Sequence, residues 1–227
     1  MILYEDAALV VLDKPAGLSS EEGVPAALRA HWNAPDAFVG VVHRLDTGVS
    51  GLMVYAPGSC RRPEPSGDPK SGRLCRAGWP RRGQSRRAAV RQAVPRNHCR
   101  CAGRAAACRR GAAGLPVQGQ PQGQGVPGPR KGVREAVLEY RILATAGENS
   151  LAEITLHTGR THQIRVQFAS RKHPLYGDGK YGSRQKGSIA LQSCGLRFVH
   201  PDTGKPMAFS LPLPAAAPWK EFLELGE

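Results

Sequence analysis

VVHRLDTGVSGLMVYA, residues 41–56, sets a compact polar group between two apolar runs. The flanking runs AFVGVV (37–42) and GLMVYA (51–56) read as strands. His43 to Ser50 then form a loop between two buried strands, a rigid mounting of the kind that carries binding and catalytic side chains. Asp46 lies two residues from Arg44 and near His43, and Gly48 and Gly51 let the backbone approach a ligand closely. The same residues would also suit an ordinary loop with a surface ion pair, worth little energetically.

Toward the N-terminus, ILY (2–4) and ALVVL (8–12) are short apolar runs followed by a Lys-Pro-Ala-Gly turn, and GVPAALRAHW (23–32) is a short helix candidate. Toward the C-terminus, AVLEYRILAT (136–145) and SLAEITLHTG (150–159) read as strands, the first alternating Leu138, Tyr140 and Ile142 with Glu139 and Arg141. RTHQIRVQFASRKH (160–173) reads as a helix with Thr161 as N-cap, Ile164 and Phe168 one turn apart, and Pro174 beyond its basic end. HPLYGDGKYG (173–182) is a Gly-rich loop, SIALQSCGLRFVHP and KPMAFSLPLP are strands, and PWKEFLEL closes the chain as a short helix. Strands with interspersed helices predict a single α+β domain, 1–227, around a mixed or antiparallel sheet.

The chain carries 32 Lys and Arg against 18 Asp and Glu, a net of +14. Residues 59–130 hold 16 of the basic and only 2 of the acidic residues, so the remainder is neutral and the whole excess sits in one stretch. That stretch also has five of the six cysteines and no Phe, Tyr, Ile or Met. Two readings of residues 57–130 follow. One is a low-complexity basic insertion, too poor in apolar surface to offset the entropy of ordering. The other is an out-of-frame segment. Read one nucleotide later with permitted codons, GSCRRPEPS (58–66) can spell Glu-Ala-Ala-Ala-Ala-Leu-Ser-Arg, and PVQGQPQGQGVP (116–127) can spell Leu-Phe-Lys-Asp-Ser-Arg-Lys-Gly-Lys-Ala-Phe. On either reading the centre of the sheet is expected to be irregular. HCRC (98–101) with Cys108 lacks the paired spacing of a zinc site, and no metal is expected.

HTGRTHQIRVQF (157–168) is the second chemical signal: Arg160 and Arg165 flank His162 and Gln163 at the start of a helix. That arrangement suits an anionic group, or a buried Asp kept ionised by Arg165, and equally a solvated basic helix face.

Together, HRLDTGVSGLMVYA and GRTHQIRVQFASRKHPLYGDGKYG resemble the two signature motifs of the RluA-type pseudouridine synthases. LYEDAALVVLDKPAGLSS resembles the family's first strands and IALQSCGLRFVHPDTGKPMAFSLPLP its last. The resemblance covers about 1–56 and 131–214. It implies isomerisation of a uridine in structured RNA, ribosomal or transfer, to its C-glycoside, after the base has left its stack. Asp46 matches the catalytic aspartate that attacks the nucleoside, and Arg165 the arginine that pairs with it. Arg44 and Arg160 fall to the substrate side as RNA-backbone or loop-anchoring groups, His162 and Gln163 are further substrate-binding candidates, and Leu191 matches an aliphatic position lining the base pocket. No metal or cofactor is needed. The implied protein is a cytoplasmic monomer without an N-terminal RNA-binding extension. The sequence has no signal peptide and no apolar run long enough to span a membrane, so no membrane partner is expected.

Two departures stand out. Val49 replaces the usual Thr. The family also places a tyrosine opposite the aspartate, in a Lys/Arg-x-Tyr motif expected near Gly72–Arg82, yet no tyrosine occurs between Tyr55 and Tyr140, and Tyr55 does not match. A catalytically inactive RNA-binding protein is therefore the alternative, as is a disordered basic linker joining two halves of a fold. Sequencing codons 55 to 132 separates the readings of the centre. The out-of-frame reading expects a shifted frame there, and an intact frame would end it.

Overall fold

The computed structural model describes residues 1–58, 96–104, 118–119, 125–126 and 135–224. In chain order the elements are β1 (Ile2–Glu5), β2 (Val10–Lys14), α1 (Gly23–His31), β3 (Phe38–Val41), β4 (Ser50–Gly58), β5 (Arg96–Arg104), β6 (Gln118–Gly119) and β7 (Gly125–Val126). There follow β8 (Leu138–Ala146), β9 (Asn149–Leu156), α2 (Gln163–Ser170), a 3-10 turn at Gly179–Tyr181, β10 (Leu191–Val199), β11 (Pro206–Ser210) and α3 (Lys220–Leu223). Apart from the short β6–β7 pair, the strands form one sheet in the order β1-β2-β4-β10-β5-β9-β8, with β3 on β4 and β11 on β10. All pairs are antiparallel except β4 with β10, so the sheet is mixed and the fold α+β.

The parallel β4–β10 contact joins the two halves of the sheet, and it is short: Gln192 pairs with Ser50 and Ser193 with Gly51. Gly51 makes it possible. Its φ is +122°, and a Cβ there would sit 2.4 Å from the Ser193 carbonyl oxygen. Ser193 Oγ adds a bond to the Leu52 carbonyl at 3.2 Å. The N-terminal half buries one face around Leu9, Val11, Leu52, Val54, Leu196 and Phe198, and the other around Val10, Leu28, Met53 and Tyr55. The C-terminal half buries Cys99, Cys101, Ile154, Ile164 and Leu191 on one face, and Ala102, Leu151, Trp219 and Phe222 on the other. Among the described residues no helix is long and apolar enough to cross a membrane.

The expectation of an irregular centre is corrected at two places. β4 runs through Pro57 to Gly58, and Arg96–Arg104 forms a strand between β10 and β9, with one register shift in its pairing to β10. Cysteine behaves here as a small hydrophobe: Cys99 and Cys101 project into one core face and Ala102 into the other. Burial raises both thiols, that of Cys99 to about 12, which fits core packing. Gly103 lies against Pro174, whose carbonyl a Cβ would meet at 2.8 Å. The other residues of 57–130, including Gly72–Arg82 where the tyrosine motif was expected and Cys108, lie outside the described residues, apart from the short pair β6–β7.

A second tie fixes the outer edge. Asp6 accepts backbone N–H groups of Ala8 and Leu9 at 2.7 and 2.9 Å, the Tyr4 hydroxyl at 2.8 Å, and contacts the buried His200 Nε2 at 2.7 Å. His200 Nδ1 accepts the N–H groups of Asp202 and Thr203, so Nε2 carries the proton toward Asp6. Burial alone would raise the Asp6 carboxyl, but these donors hold it down at about 2. A carboxyl lower in the folded than in the unfolded chain stabilises the fold above the unfolded pKa, near 3.8, and ceases to do so as pH falls through about 2. Asp6→Asn should therefore cost about 1 to 2 kcal/mol near neutral pH, with the exposed part of the carboxylate discounted. In urea titrations the gap from the parent should close between about pH 4 and pH 2; a gap independent of pH would contradict this.

Candidate active site

The loop between β3 and β4 is pinned by its backbone. Ser20 Oγ donates to the Leu45 carbonyl at 2.8 Å, Gly17 N–H to Thr47 O at 2.7 Å, and Val49 N–H to Asp46 O at 2.9 Å. Lys14 is fully buried, with Nζ donating to Pro15 O, Leu18 O and, at 3.3 Å, Thr47 O. Burial pulls this ammonium below its ordinary pKa, while the charges of Asp46 and Asp13 oppose the shift. His43 turns inward and its Nε2 accepts Val54 N–H at 3.1 Å, so it serves the loop's stem. The Tyr55 hydroxyl donates to Ser20 O. These bonds leave the Asp46 side chain projecting from a fixed backbone.

Helix α2 brings the partner. Arg165 Nη1 donates to Asp46 Oδ2 at 2.8 Å, while its Nε and Nη2 donate to the two oxygens of Asp178 at 2.7 and 2.8 Å. Side-chain exposure falls from 31% for Asp46 to 7% for Arg165 and 1% for Asp178, so only the outer carboxylate is open to a ligand. Burial would lower the guanidinium's pKa, but hydrogen bonds and charge from Asp178 and Asp46 raise it overall, and it stays a cation. Asp178 is held by Gly177, whose φ of +72° and close approach to Ser188 O exclude a side chain. The Asp178 carbonyl accepts N–H groups from Tyr181 and Ser183.

Asp46, His162, Arg165 and Leu191 border one cavity of 840 Å³, with Arg44, Arg160 and Gln163 also on its wall. That volume falls within the range of small-ligand sites. His162 Nε2 stands 3.4 Å from Asp46 Oδ2. Burial lowers the imidazole pKa, Asp46 opposes this, and Arg165 adds to it. Leu191 is an apolar wall, 7% exposed. Arg44 sits at the mouth, paired with Glu21 at 3.1 Å, and Arg160 Nε donates to Glu135 O at 3.2 Å.

Gln163 lies on the cavity wall, with its side-chain amide bonded within the protein. It is buried, its Oε1 accepts from Thr158 Oγ1 and Arg160 N–H, and its Nε2 donates to Val137 O. Its amide is thus occupied in shaping the 157–163 turn. Thr161 is not the N-cap. His162 takes that position in the left-handed region, φ 52°, with no side-chain cap bond. Here the backbone places an imidazole rather than capping a helix, a strain of the kind that concentrates at functional sites. Sequence reasoning missed Asp178 and Tyr181, both inside GDGKYG, and the anchoring role of Lys14. The glycines of that loop were the available signal.

Comparison with known proteins points to one family. A family model described as RNA pseudouridylate synthase matches residues 108–170, beginning inside the basic stretch and ending past Arg165. The chain is 31% identical to an uncharacterised RNA pseudouridine synthase of Chlorobaculum parvum, over 94% of this chain and 70% of that protein. The chain belongs to the RNA pseudouridine synthase family. It is 32% identical to ribosomal large subunit pseudouridine synthase D of Xanthomonas campestris pv. campestris, over 94% of this chain and 66% of that protein. The chain spans about two thirds of the length of the curated relatives it matches. Among solved structures, human RNA pseudouridylate synthase domain containing 1 shares the fold, with a TM-score of 0.70 at 16% identity, covering 95% of this chain and 84% of that one.

If the Asp178 carboxylate fixes Arg165, its removal strands a buried cation. Asp178→Ala should destabilise the protein by about 3 kcal/mol, typical of breaking a buried pair. Chemical denaturation checks this, and a cost below about 1 kcal/mol, the range of a surface pair, would contradict it.

Proposed function

We propose that this site isomerises uridine to pseudouridine in structured RNA, ribosomal or transfer, and that the protein works as a monomer in the cytoplasm. The observation that carries the proposal is the Asp46 carboxylate: partly exposed in the cavity and bonded to a guanidinium that Asp178 locks from behind. Such a carboxylate is aimed into the cavity by a fixed cation, without a neighbouring base.

Asp46 attacks the target nucleoside, at the sugar or the base. The C1′–N1 bond breaks, the uracil turns, a C1′–C5 bond forms, the bond to Asp46 breaks and releases its carboxylate, the C5 proton leaves and N1 gains a proton. No atom or electron is gained overall. Leu191 supplies the apolar wall for the displaced base, which must leave its stack to reach the carboxylate. Arg44 and Arg160 meet the RNA backbone. The Arg44–Glu21 pair is more than half exposed on both sides, worth at most about 1 kcal/mol, so a phosphate can displace the glutamate. The relative named for the ribosomal large subunit supports ribosomal RNA as the first substrate to try.

The tyrosine that the family sets against the aspartate has no counterpart between Tyr55 and Tyr140. Proton transfer from C5 then falls to water or another group, and turnover should be about 10²- to 10⁴-fold below that of a family member carrying it. Release of tritium from RNA labelled at uracil C5 reads the reaction directly. Slow release that Asp46→Asn abolishes is expected. RNA binding without release would leave the protein a non-catalytic binder.

A further inference from the structure

Tyr181 lies behind the catalytic pair. It ends the 3-10 turn that starts after Asp178, and its backbone N–H donates to Asp178 O at 3.0 Å. Its hydroxyl is 2.7 Å from His162 Nδ1, the two rings meeting edge to face, and its ring lies 5.0 Å from the Arg165 guanidinium carbon. Tyr181 thus touches both residues that contact Asp46.

The hydrogen bonds of His162 restrict its proton. A neutral imidazole carries one N–H and one lone pair. With the proton on Nδ1, the Nε2 lone pair would face the Asp46 carboxylate at 3.4 Å, which is repulsive. With the proton on Nε2, that N–H lies on the carboxylate side of the ring, in electrostatic contact at 3.4 Å with Asp46 Oδ2, and Nδ1 must accept from the Tyr181 hydroxyl. We propose that Tyr181 is a positioning residue for Asp46: its hydroxyl donates to His162 Nδ1 and holds the imidazole with Nε2–H toward the carboxylate.

Two further observations agree. His162 sits in a left-handed backbone conformation that the ring contact with Tyr181 helps to hold. The phenol keeps its proton to donate, since burial and the charges of Asp178 and Asp46 raise its pKa against the pull of Arg165. The charged groups acting on the imidazole are Asp46, Arg165, Lys180 and Asp178. Asp46 therefore has two neighbours of different kinds, a guanidinium that donates to it at 2.8 Å and a neutral imidazole in electrostatic contact at 3.4 Å.

Tyr181→Phe tests this, because it keeps the ring against Arg165 and removes only the hydroxyl. Nitrogen-15 NMR of the full chain labelled at histidine should show His162 protonated at Nε2 with Nδ1 an acceptor. The variant should lose the acceptor signature at Nδ1 and populate both tautomers. The kinetic arm rests on the isomerase reading above: kcat should fall about tenfold, as for one neutral hydrogen bond, with KM for RNA unchanged. In a His162→Gln background the same substitution should have no further effect, since Tyr181 acts through the imidazole. His162 protonated at Nδ1 in the parent, or a spectrum unmoved by Tyr181→Phe, would overturn the proposal. An inactive parent with the expected spectrum would count against the isomerase reading alone.

Discussion

The Arg165 guanidinium, bonded through Nε and Nη2 to Asp178 and through Nη1 to Asp46, joins parts of the chain more than a hundred residues apart. Its planar fork suits this use, because two parallel bonds to one carboxylate fix its orientation and leave a third direction for another. Burying one cation between two carboxylates is expensive unless every donor is used. The surrounding structure meets that demand: Gly177 gives Asp178 its approach, the β4–β10 pairing brings the Asp46 loop near α2, and Lys14 and Ser20 fix the loop's carbonyls. Asp46 is the one member left partly open, and it faces the cavity.

Much of this was legible in the sequence because the flanks obey simple periodicity. The strands around His43–Ser50, the alternation of β8 and the Ile164–Phe168 spacing all correspond to elements of the structure. Asp46 and Arg165 were readable as chemistry, since each sits in a polar group bounded by apolar residues. Asp178 and Tyr181 were not. A short loop of Gly, Asp, Lys and Tyr carries no periodicity, and its value lies in where a turn puts two side chains. Gln163 shows the converse: a polar residue beside a cavity whose side-chain hydrogen bonds go to its own turn and to the Val137 carbonyl.

The centre of the chain shows how composition can hide an element. Averaged over residues 59–130, the excess of Arg, Pro and Gly gives no strand signal, and RNHCRCAGR holds no β-branched or aromatic residue. Yet these nine residues lie between β9 and β10. The neighbours impose the structure: their strand edges need partners, and a strand there needs only small apolar groups at alternate positions. Cys99 reaches the cavity wall from this strand.

The sharing of one guanidinium between Asp46 and Asp178 is tested most directly by a double-mutant cycle on stability, with Asp46→Asn, Asp178→Asn and the pair. Carboxylates coupled through Arg165 should give effects that depart from additivity by about 1 kcal/mol or more. Effects that add within about 0.5 kcal/mol, as for independent sites, would contradict the account of Asp46 as a carboxylate held in place through Arg165.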